Sequence, residues 1–357
     1  MTSYKIGKIL GINIELDASF IILLLIMLFL SAYLRSIYTF LLISLLFLCV
    51  LAHELTHSVT SLCNGIKVKK IILLPIGGAS IIDETEIKPD VEFRIAVVGP
   101  LMSLLLGGIF GVLAIFSPLG LITETLQFLF EINILLGVFN LLPAFPTDGG
   151  RVFRSYLERK RSEYEATMLT VKASKYTMAL FLIGTLAYLA FTSSSFFYKE
   201  FIFFWNLIIV MFLYGGASGE QQLAELKKAA VGLRISDAMS KHFKLVGGST
   251  RLYELYSIAH KSKEHIFITK INSGYACLNL LGKTNQGSTF ASDVAAGIPT
   301  IRPDANIVSA IATLSSNEVG MAAVVKGKKL LGIVTQSQLQ TFIALHVLRR
   351  CKVNQHR

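Results

Sequence analysis

Residues 38–57 read Tyr38-Thr-Phe-Leu-Leu-Ile-Ser-Leu-Leu-Phe-Leu-Cys-Val-Leu-Ala-His-Glu-Leu-Thr-His57, a long apolar run that ends in three ionisable side chains. The length of the run predicts a helix that crosses a bilayer, which needs about 20 mainly apolar residues. An ionisable side chain near the bilayer centre costs on the order of 2.5–3.5 kcal/mol. His53, Glu54 and His57 are therefore expected to have a function that offsets this cost.

The spacing of the two histidines predicts a metal site. Residues four apart share one face of a helix, so His53 and His57 can bind the same ion. With Glu54 they form the H-E-x-x-H pattern, in which the glutamate accepts a proton from water. The pattern also arises by chance in roughly one chain in a hundred. Its position inside an apolar segment, roughly 22 Å from the outer end, favours the metal site.

A catalytic zinc site needs a third protein ligand and one open position for water. Asp148 is the predicted third ligand, because Pro143 ends the preceding helix and the chain then turns at membrane depth. Irregular backbone at that depth is tolerated only against protein or a wet cavity. In the alternatives, Asp148 caps the following helix or Glu131 is the ligand. Glu131 lies roughly 25 Å away along a helical path, which favours an interhelical hydrogen bond for it.

The composition of the chain predicts two kinds of domain. The 357 residues are 53% hydrophobic and 16% charged, whereas a soluble protein has about 25% charged residues. Six apolar segments approach or reach the length of a span: residues 18–34, 38–62, 95–116, 121–142, 176–197 and 201–217. We expect an α-helical polytopic membrane domain of about six spans (residues 1–217), a linker helix (218–232) and a soluble domain (233–357).

The basic residues indicate topology rather than a nucleic-acid site. The net charge is +11, but no basic helix with interleaved aromatic residues occurs, so no nucleic-acid partner is expected. Fourteen Lys and Arg residues lie on one side of the predicted spans and two on the other. The positive-inside rule then places both termini in the cytoplasm. The four cysteines form no C-x-x-C pair, which argues against a disulfide framework or a cysteine zinc site.

Residues 66–82 are too short for another span and are rich in β-branched side chains, with a break at Gly77-Gly78. This pattern predicts a β-hairpin or small sheet near the cytoplasmic face. Two interpretations stay open for this segment. It is either an amphipathic surface loop or an edge strand that pairs with an extended substrate.

The C-terminal third contains an internal repeat of roughly 55 residues. The two units begin at Ile235-Ser-Asp-Ala-Met239 and Ala291-Ser-Asp-Val294, and each continues into an amphipathic helix, at 253–260 and 307–315. Strands are expected at 321–326 and 330–335. Alternating strands and helices in two similar units predict one α/β module made of two halves.

The two membrane motifs together resemble those of the site-2 protease family of intramembrane metalloproteases. In that family H-E-x-x-H and N-x-x-P-x-x-P-x-D-G lie on separate membrane segments. Both are complete here, at residues 53–57 and 140–149, and Gly99-Pro100 is a weaker third match. This chain departs from the family at Thr56, where Gly is frequent, and at Ser103, where Asn is frequent.

The resemblance implies one zinc ion per chain and cleavage of a peptide bond within or near a transmembrane segment of another protein. Glu54 would be the general base and Asn140 would donate a hydrogen bond to the developing oxyanion. The family analogy also implies a bacterial or archaeal cell membrane as the location.

Residues 231–345 resemble a pair of CBS repeats, a module that senses adenosyl nucleotides. Nucleotide-binding repeats often have Asp three residues after the Thr of G-I-V-T, where this chain has Gln338, and the first repeat is less regular at residues 277–282. Two interpretations stay open, a nucleotide sensor and a structural module that forms a homodimer.

Two other functions fit part of the sequence. A CBS-regulated transporter or channel would also have about six spans and a cytoplasmic sensor, but no inverted repeat of broken helices is evident. A catalytically inactive relative could act as a membrane receptor. The complete set of His53, Glu54, His57 and Asp148 argues against the second of these.

Overall fold

The structure is a computed structural model, and it describes residues 3–33, 35–75, 77–82, 87–118, 120–193, 195–262, 266–271, 274–279, 290–315, 317, 319–327 and 329–354. The chain divides into two compact units, residues 1–224 and 225–357.

The N-terminal unit is a bundle of apolar helices. Its helices are α1 (Ala18–Tyr33), α2 (Tyr38–Cys63), α3 (Pro89–Phe116), α4 (Leu121–Asn140), α5 (Asp148–Glu158), α6 (Glu163–Phe191) and α7 (Phe196–Ala230), the last of which runs on into the second unit. In the described part of the chain, five of them (α2, α3, α4, α6 and α7) are long and apolar enough to cross a membrane, and α1 is a shorter apolar helix.

The last two helices differ from the predicted segments. The predicted span at 176–197 lies mainly in α6, which begins earlier, in polar residues at Glu163, and ends at Phe191, before the predicted end. The predicted span at 201–217 is part of the longer helix α7, which continues into polar residues as far as Ala230. The glycines at 215, 216 and 219 do not interrupt α7. The segment expected to be a separate linker helix therefore belongs to the end of α7.

Small residues let the central helices approach one another closely. A Cβ at Gly107 would lie 2.9 Å from Ile134, and one at Gly137 would lie 2.8 Å from Leu104. Glycines in these positions bring α3 and α4 together, as small residues do between membrane helices, where dispersion replaces the hydrophobic effect. The helix that carries the H-E-x-x-H pattern, α2, packs on α3 as well.

A four-stranded sheet accompanies the helices. Its strands are β1 (Ser3–Ile9), β2 (Ile12–Asp17), β3 (Val68–Leu74) and β4 (Gly77–Ile82), in that order across the sheet. The predicted hairpin at residues 66–82 is confirmed by β3 and β4, which are antiparallel. The β1–β2 hairpin was not predicted, and β2 joins β3 in parallel. One face of the sheet packs on α1 and α2 through a cluster that includes Ile12, Phe20 and Ile71.

The second unit contains two β-α-β-β halves, as the sequence repeat predicts. The first comprises β5 (Lys244–Val246), α9 (Leu252–Ser262), β6 (Ile266–Ile271) and β7 (Gly274–Asn279), preceded by α8 (Ile235–Ala238). The second comprises β9 (Thr300–Ile301), α11 (Ile307–Ser315), β10 (Met321–Lys326) and β11 (Lys329–Thr335), preceded by α10 (Ala291–Val294) and β8 (Ala296–Ile298) and followed by α12 (Gln336–Asn354). The sheets have the orders β5-β6-β7-β8 and β11-β10-β9.

The position that departs from nucleotide-binding repeats has a local role at the start of α12. The Gln338 side chain accepts a hydrogen bond from the Thr335 backbone N–H at 3.2 Å, and the Thr335 hydroxyl accepts one from the Gln338 N–H at 3.3 Å. This reciprocal pair is a capping box. The side chain expected at a ribose in other repeats is therefore engaged with its own backbone.

Candidate metal centre

The structure brings the three predicted ligands together in the membrane bundle. His53 Nε2 and His57 Nε2 are 3.1 Å apart, and each lies 3.1 Å from Asp148 Oδ2. Both histidines are buried, at 4% and 8% exposure. Two imidazole nitrogens and one carboxylate oxygen that converge in a buried place form a donor set that suits zinc. Three donor atoms this close to one another repel through their lone pairs unless they share a proton or a cation.

One face of α3 orients both imidazoles. The Ile95 carbonyl lies 2.6 Å from His57 Nδ1, and Ser103 Oγ lies 2.9 Å from His53 Nδ1. When each Nδ1–H donates to these oxygens, each Nε2 keeps its lone pair for a metal ion, the arrangement common among metal-binding histidines. Gly99 lies between them, and a Cβ there would be 2.1 Å from His57 Nε2. Ile95, Gly99 and Ser103 are four residues apart and so share one helix face.

The loop before α5 presents Asp148. The Phe145 backbone N–H donates to Ser174 Oγ at 2.9 Å, and the Thr147 hydroxyl donates to backbone carbonyls of the same loop, Leu142 among them. A Cβ at Gly149 would lie 2.3 Å from the backbone of residues 141 and 142. The loop therefore folds tightly against the first turn of α5, which only glycine allows. This explains the D-G-G sequence.

The alternative in which Asp148 caps the following helix is wrong. The helix α5 begins at Asp148 itself, its N-cap residue is Thr147, and the cap has no side-chain hydrogen bond. The Asp148 carboxylate instead reaches the two histidines of α2.

Arg154 holds α5 against its neighbours. Its guanidinium pairs with Glu92 of α3 and Glu220 of α7, and it lies 5.7 Å from the centre of the Phe145 ring. Burial alone would lower the pKa of Arg154, but the two carboxylates outweigh it and raise that pKa. Arg154 is thus a permanent cation at the base of the Asp148 loop. The sequence reasoning did not identify it, because its partners are distant in the chain.

Strand β4 lies beside Glu54. Glu54 Oε2 accepts a hydrogen bond from Ser80 Oγ at 3.1 Å, and Ser80 Oγ lies 3.0 Å from Ser58 Oγ. A Cβ at Gly78 would be 2.3 Å from Glu54 Cγ. The strand can approach the glutamate this closely only because Gly78 has no side chain. In the described sheet β4 is an edge strand, paired with β3 alone.

Two other predicted residues lie outside this cluster. Asn140 Nδ2 donates to the Leu136 carbonyl at 3.0 Å, one turn earlier in α4. Glu131 is exposed on α4 and is not part of the group of donors. The interhelical hydrogen bond expected for Glu131 does not form among the described residues. Its exposure also removes it as a third ligand in this arrangement.

A buried set of His, His and Asp donors within a bundle of apolar helices, with a glutamate alongside, defines an intramembrane metalloprotease. The Peptidase family M50 model matches residues 41–124 and 117–184, which include all four of these side chains. A zinc metalloprotease of Methanocaldococcus jannaschii is 28% identical over 94% of this chain and 95% of its own.

Two solved structures are also similar. The site-2 protease from Methanocaldococcus jannaschii is 33% identical and matches 62% of this chain and 95% of its own, with a TM-score of 0.46. A CBS domain protein from Thermoplasma acidophilum is 22% identical over 32% of this chain and 75% of its own, with a TM-score of 0.27. The M50 match, together with the identity to the Methanocaldococcus zinc metalloprotease over nearly the whole length of both chains, assigns the family. This chain belongs to peptidase family M50, the site-2 protease family of zinc metalloproteases.

The predicted class of enzyme is therefore confirmed, and so is its membership of a family that cleaves membrane proteins within the bilayer. None of the comparisons favours the transporter or channel alternative. The CBS pair follows from the order of strands and helices in the second unit itself. The Methanocaldococcus relative is aligned with nearly the whole chain and so includes this unit.

Proposed function

We propose that this chain holds one zinc ion on His53, His57 and Asp148 and hydrolyses a peptide bond within or near a transmembrane segment of a protein substrate. The observation that supports it most directly is the convergence of the three donor atoms at 3.1 Å in a buried place. The oxygen partners at each Nδ1 support it further, since they leave both Nε2 atoms ready to bind.

The side chains around the site have separate roles in this mechanism. Zinc, when bound, polarises the scissile carbonyl and lowers the pKa of water to about 7. Glu54 accepts the proton of the attacking water and passes it to the leaving amine. Ser80 holds the Glu54 carboxylate by its hydrogen bond, which fixes the direction of the lone pair that accepts the proton. Asp148 would hold the ion together with the two histidines and takes no part in the proton transfer.

Strand β4 supports an edge-strand mode of substrate binding. A helical substrate hides its carbonyls in its own hydrogen bonds, so it must unwind before attack. An unwound segment can pair with the free edge of β4, whose backbone groups offer a row of donors and acceptors. Gly78 brings this strand to Glu54. These observations favour the edge strand over the amphipathic surface loop.

Asn140 stays a predicted donor to the oxyanion. Its amide is bonded to the Leu136 carbonyl, so the role requires the side chain to rotate away when substrate binds. A change of this kind on binding is common, because catalytic hydrogen bonds are often long or poorly aligned until the substrate is bound.

The proposal extends to the membrane topology of the chain and to the role of its second unit. Both termini lie in the cytoplasm and the chain resides in the cell membrane, as the distribution of basic residues supports. The CBS pair forms a homodimer, and the capping role of Gln338 favours a structural module over an adenosyl-nucleotide sensor. The boundaries at residues 217 and 232 remain predictions.

The decisive experiment measures zinc content and cleavage on the same purified samples. Glu54→Gln should keep about one zinc ion per chain and lose cleavage of candidate membrane substrates. Asp148→Ala should lose zinc as well as cleavage. Glu131→Gln is the matched control, because it removes a carboxylate from the membrane bundle outside the donor set, and it should change neither quantity.

Three results would contradict the proposal. Cleavage by Glu54→Gln at the wild-type rate would show that Glu54 is not the general base. Unchanged zinc in Asp148→Ala would remove it as a ligand. Cleavage by the wild-type chain that survives complete removal of metal by a chelator would exclude zinc from the reaction.

A further inference from the structure

Strand β1 carries apolar side chains that no other part of the described chain covers. Tyr4, Ile6, Ile9 and Leu10 are 58%, 59%, 39% and 70% exposed. Tyr4 and Ile9 lie in the paired register of the strand, Ile6 lies at its bulge and Leu10 lies in the turn that follows. We name these four residues together the β1 apolar face. They lie at the start of a chain whose next helix, α1, is itself apolar and exposes large side chains such as Phe29.

The strand register shows which way the β1 apolar face points. Ile9 pairs with Ile12 and Tyr4 pairs with Leu16, so these pairs share one face of the sheet. Ile12 is buried in the cluster that joins the sheet to α1 and α2. Tyr4 and Ile9 thus continue the face that packs on the membrane helices, at a place where no described side chain covers them.

The opposite face of the same hairpin is polar. Lys8 pairs with Asn13 and Lys5 with Glu15. Glu15 also binds Lys70 of β3 at 2.7 Å. The hairpin is therefore amphipathic across its thickness, with lysines on the side away from the helices.

The packing of α1 sets the depth of this sheet. The β2 strand ends at Asp17 and α1 begins at the next residue. The Phe20 ring, in the first turn of α1, lies 4.4 Å from the Phe47 ring of α2. Phe47 is nine residues from the start of α2, roughly 14 Å along a 26-residue helix. The junction of sheet and helix therefore lies beside the middle turns of α2 and not beside its last turn at Cys63.

Helix length leads to the same depth. The 16 residues of α1 extend about 24 Å, whereas the hydrocarbon core is about 30 Å thick. A helix shorter than the hydrocarbon core is accommodated by local thinning of the bilayer, which brings the headgroup boundary to its flanking residues. An unpaired strand edge is not tolerated inside the hydrocarbon itself, so β1, which is an edge strand, must lie at the boundary where headgroups and water reach its backbone.

We propose that β1 and the turn at Leu10 form an interfacial lipid-binding surface. The β1 apolar face enters the boundary between acyl chains and headgroups, and Lys5 and Lys8 bind anionic headgroups on the other side. Lipid, rather than a second copy of the chain, fits this surface because Tyr4 and Ile9 extend the sheet face that packs on the apolar helices, and because Lys5 and Lys8 on the other face are exposed.

This surface has a consequence for the active site. The strands β1, β2, β3 and β4 form one hydrogen-bonded sheet, and β4 lies against Glu54. Lipid bound at one edge therefore helps to fix the depth of the strand at the other. The inference rests on the membrane location of the chain and is independent of zinc and of the proposed substrate.

A single-tryptophan experiment tests the surface. The only tryptophan of the chain is Trp205, so the full-length Trp205→Phe chain is the background. Tyr4→Trp probes the β1 apolar face, and Ile9→Trp is a second probe of it. Lys8→Trp is the matched control on the opposite face of the same strand. Each variant is reconstituted in vesicles of phosphatidylcholine and phosphatidylglycerol that carry brominated acyl chains, and quenching by bromine and by aqueous iodide is measured.

The two quenchers should distinguish the two faces of β1. Tyr4→Trp and Ile9→Trp should emit at shorter wavelength and be quenched by brominated lipid several-fold more than Lys8→Trp, whereas iodide should quench Lys8→Trp more. In the Tyr4→Trp chain, Lys5→Gln with Lys8→Gln should reduce quenching by brominated phosphatidylglycerol but not by brominated phosphatidylcholine.

Two outcomes would overturn the inference. Strong iodide quenching at both faces, without an effect of bromine, would place β1 in water. Protection of Tyr4→Trp and Ile9→Trp from both quenchers would mean that protein, such as a second copy, covers the face.

Discussion

The substitution Gly99→Ala tests how closely α3 fits the metal centre. An ideal Cβ at this position would lie 2.1 Å from His57 Nε2 and 2.8 Å from His53 Nε2, whereas ordinary contacts of a Cβ begin near 3.4 Å. His57 would have to move by more than 1 Å, and it is held on the other side by the Ile95 carbonyl at 2.6 Å. Both ligands would therefore be displaced together.

The expected effect is large on function and moderate on stability. A misplacement of about 1 Å in an active site can lower the rate about 100-fold. Overpacking a tightly filled interior costs about 1–3 kcal/mol. We therefore expect Gly99→Ala to lose zinc and to cleave substrate at about 1% of the wild-type rate or less. The folded chain should remain, with a lower thermal midpoint.

The assay measures zinc per chain after gel filtration, the cleavage rate and the thermal midpoint of the same detergent-purified sample. Gly108→Ala is the matched control, since it adds the same methyl group to the same helix where nothing lies within 4 Å. It should retain zinc and activity. Full zinc content and a wild-type rate in Gly99→Ala would refute the close approach of α3 to the histidines.

Three further predictions follow from other contacts. Ser103→Ala should weaken zinc binding, measured by competition with a chelating dye, because His53 Nδ1 loses its partner at 2.9 Å; Ser103→Asn should restore it, and equal affinity in all three chains would contradict this role. Gly216→Ala should lower zinc retention, since its Cβ would lie 2.4 Å from Pro146 in the Asp148 loop, whereas Gly215→Ala meets nothing within 4 Å; equal retention in the two variants would count against α7 as a support of that loop. Burial raises the pKa of the Cys277 thiol to about 11, so at pH 8 only about 0.1% of it is thiolate; maleimide followed by mass spectrometry should label the exposed Cys63 first and Cys277 only on unfolding, and rapid labelling of Cys277 in the native chain would contradict its burial.

Elements with strong local signals were predicted closely. The start of α2 at Tyr38, the helix α11 and the strand β10 all agree with the sequence reading. Each has a pattern that its own residues complete, namely a long apolar run, an apolar stripe of helical period or a short β-branched segment between turns.

The β1–β2 hairpin was missed for a physical reason. A two-stranded hairpin is marginal by itself, and this one is stabilised by β3, which lies about fifty residues further on. The extent of α6 and α7 was also underestimated. Hydropathy identifies the part of a helix that can lie in lipid. It does not detect the polar turns by which the same helix continues.

Local sequence patterns were enough to predict the chemistry of this protein. The four-residue spacing of His53 and His57 places two imidazoles on one helix face, and Pro143 and Gly149 require an irregular segment that exposes a carboxylate. These are local consequences of backbone geometry, so they can be read without a fold.

Which of these groups lie in contact depends on how the helices and strands pack together. Asp148 reaches His57 from 91 positions further along the chain, the Ile95 carbonyl and Ser103 orient the imidazoles, and Ser80 binds Glu54. These contacts depend on how α3 and β4 pack against α2, and packing is set by the fit of many distant side chains and glycines at once. No spacing along the chain encodes that fit, so the support of the site became visible only when the helices were in place.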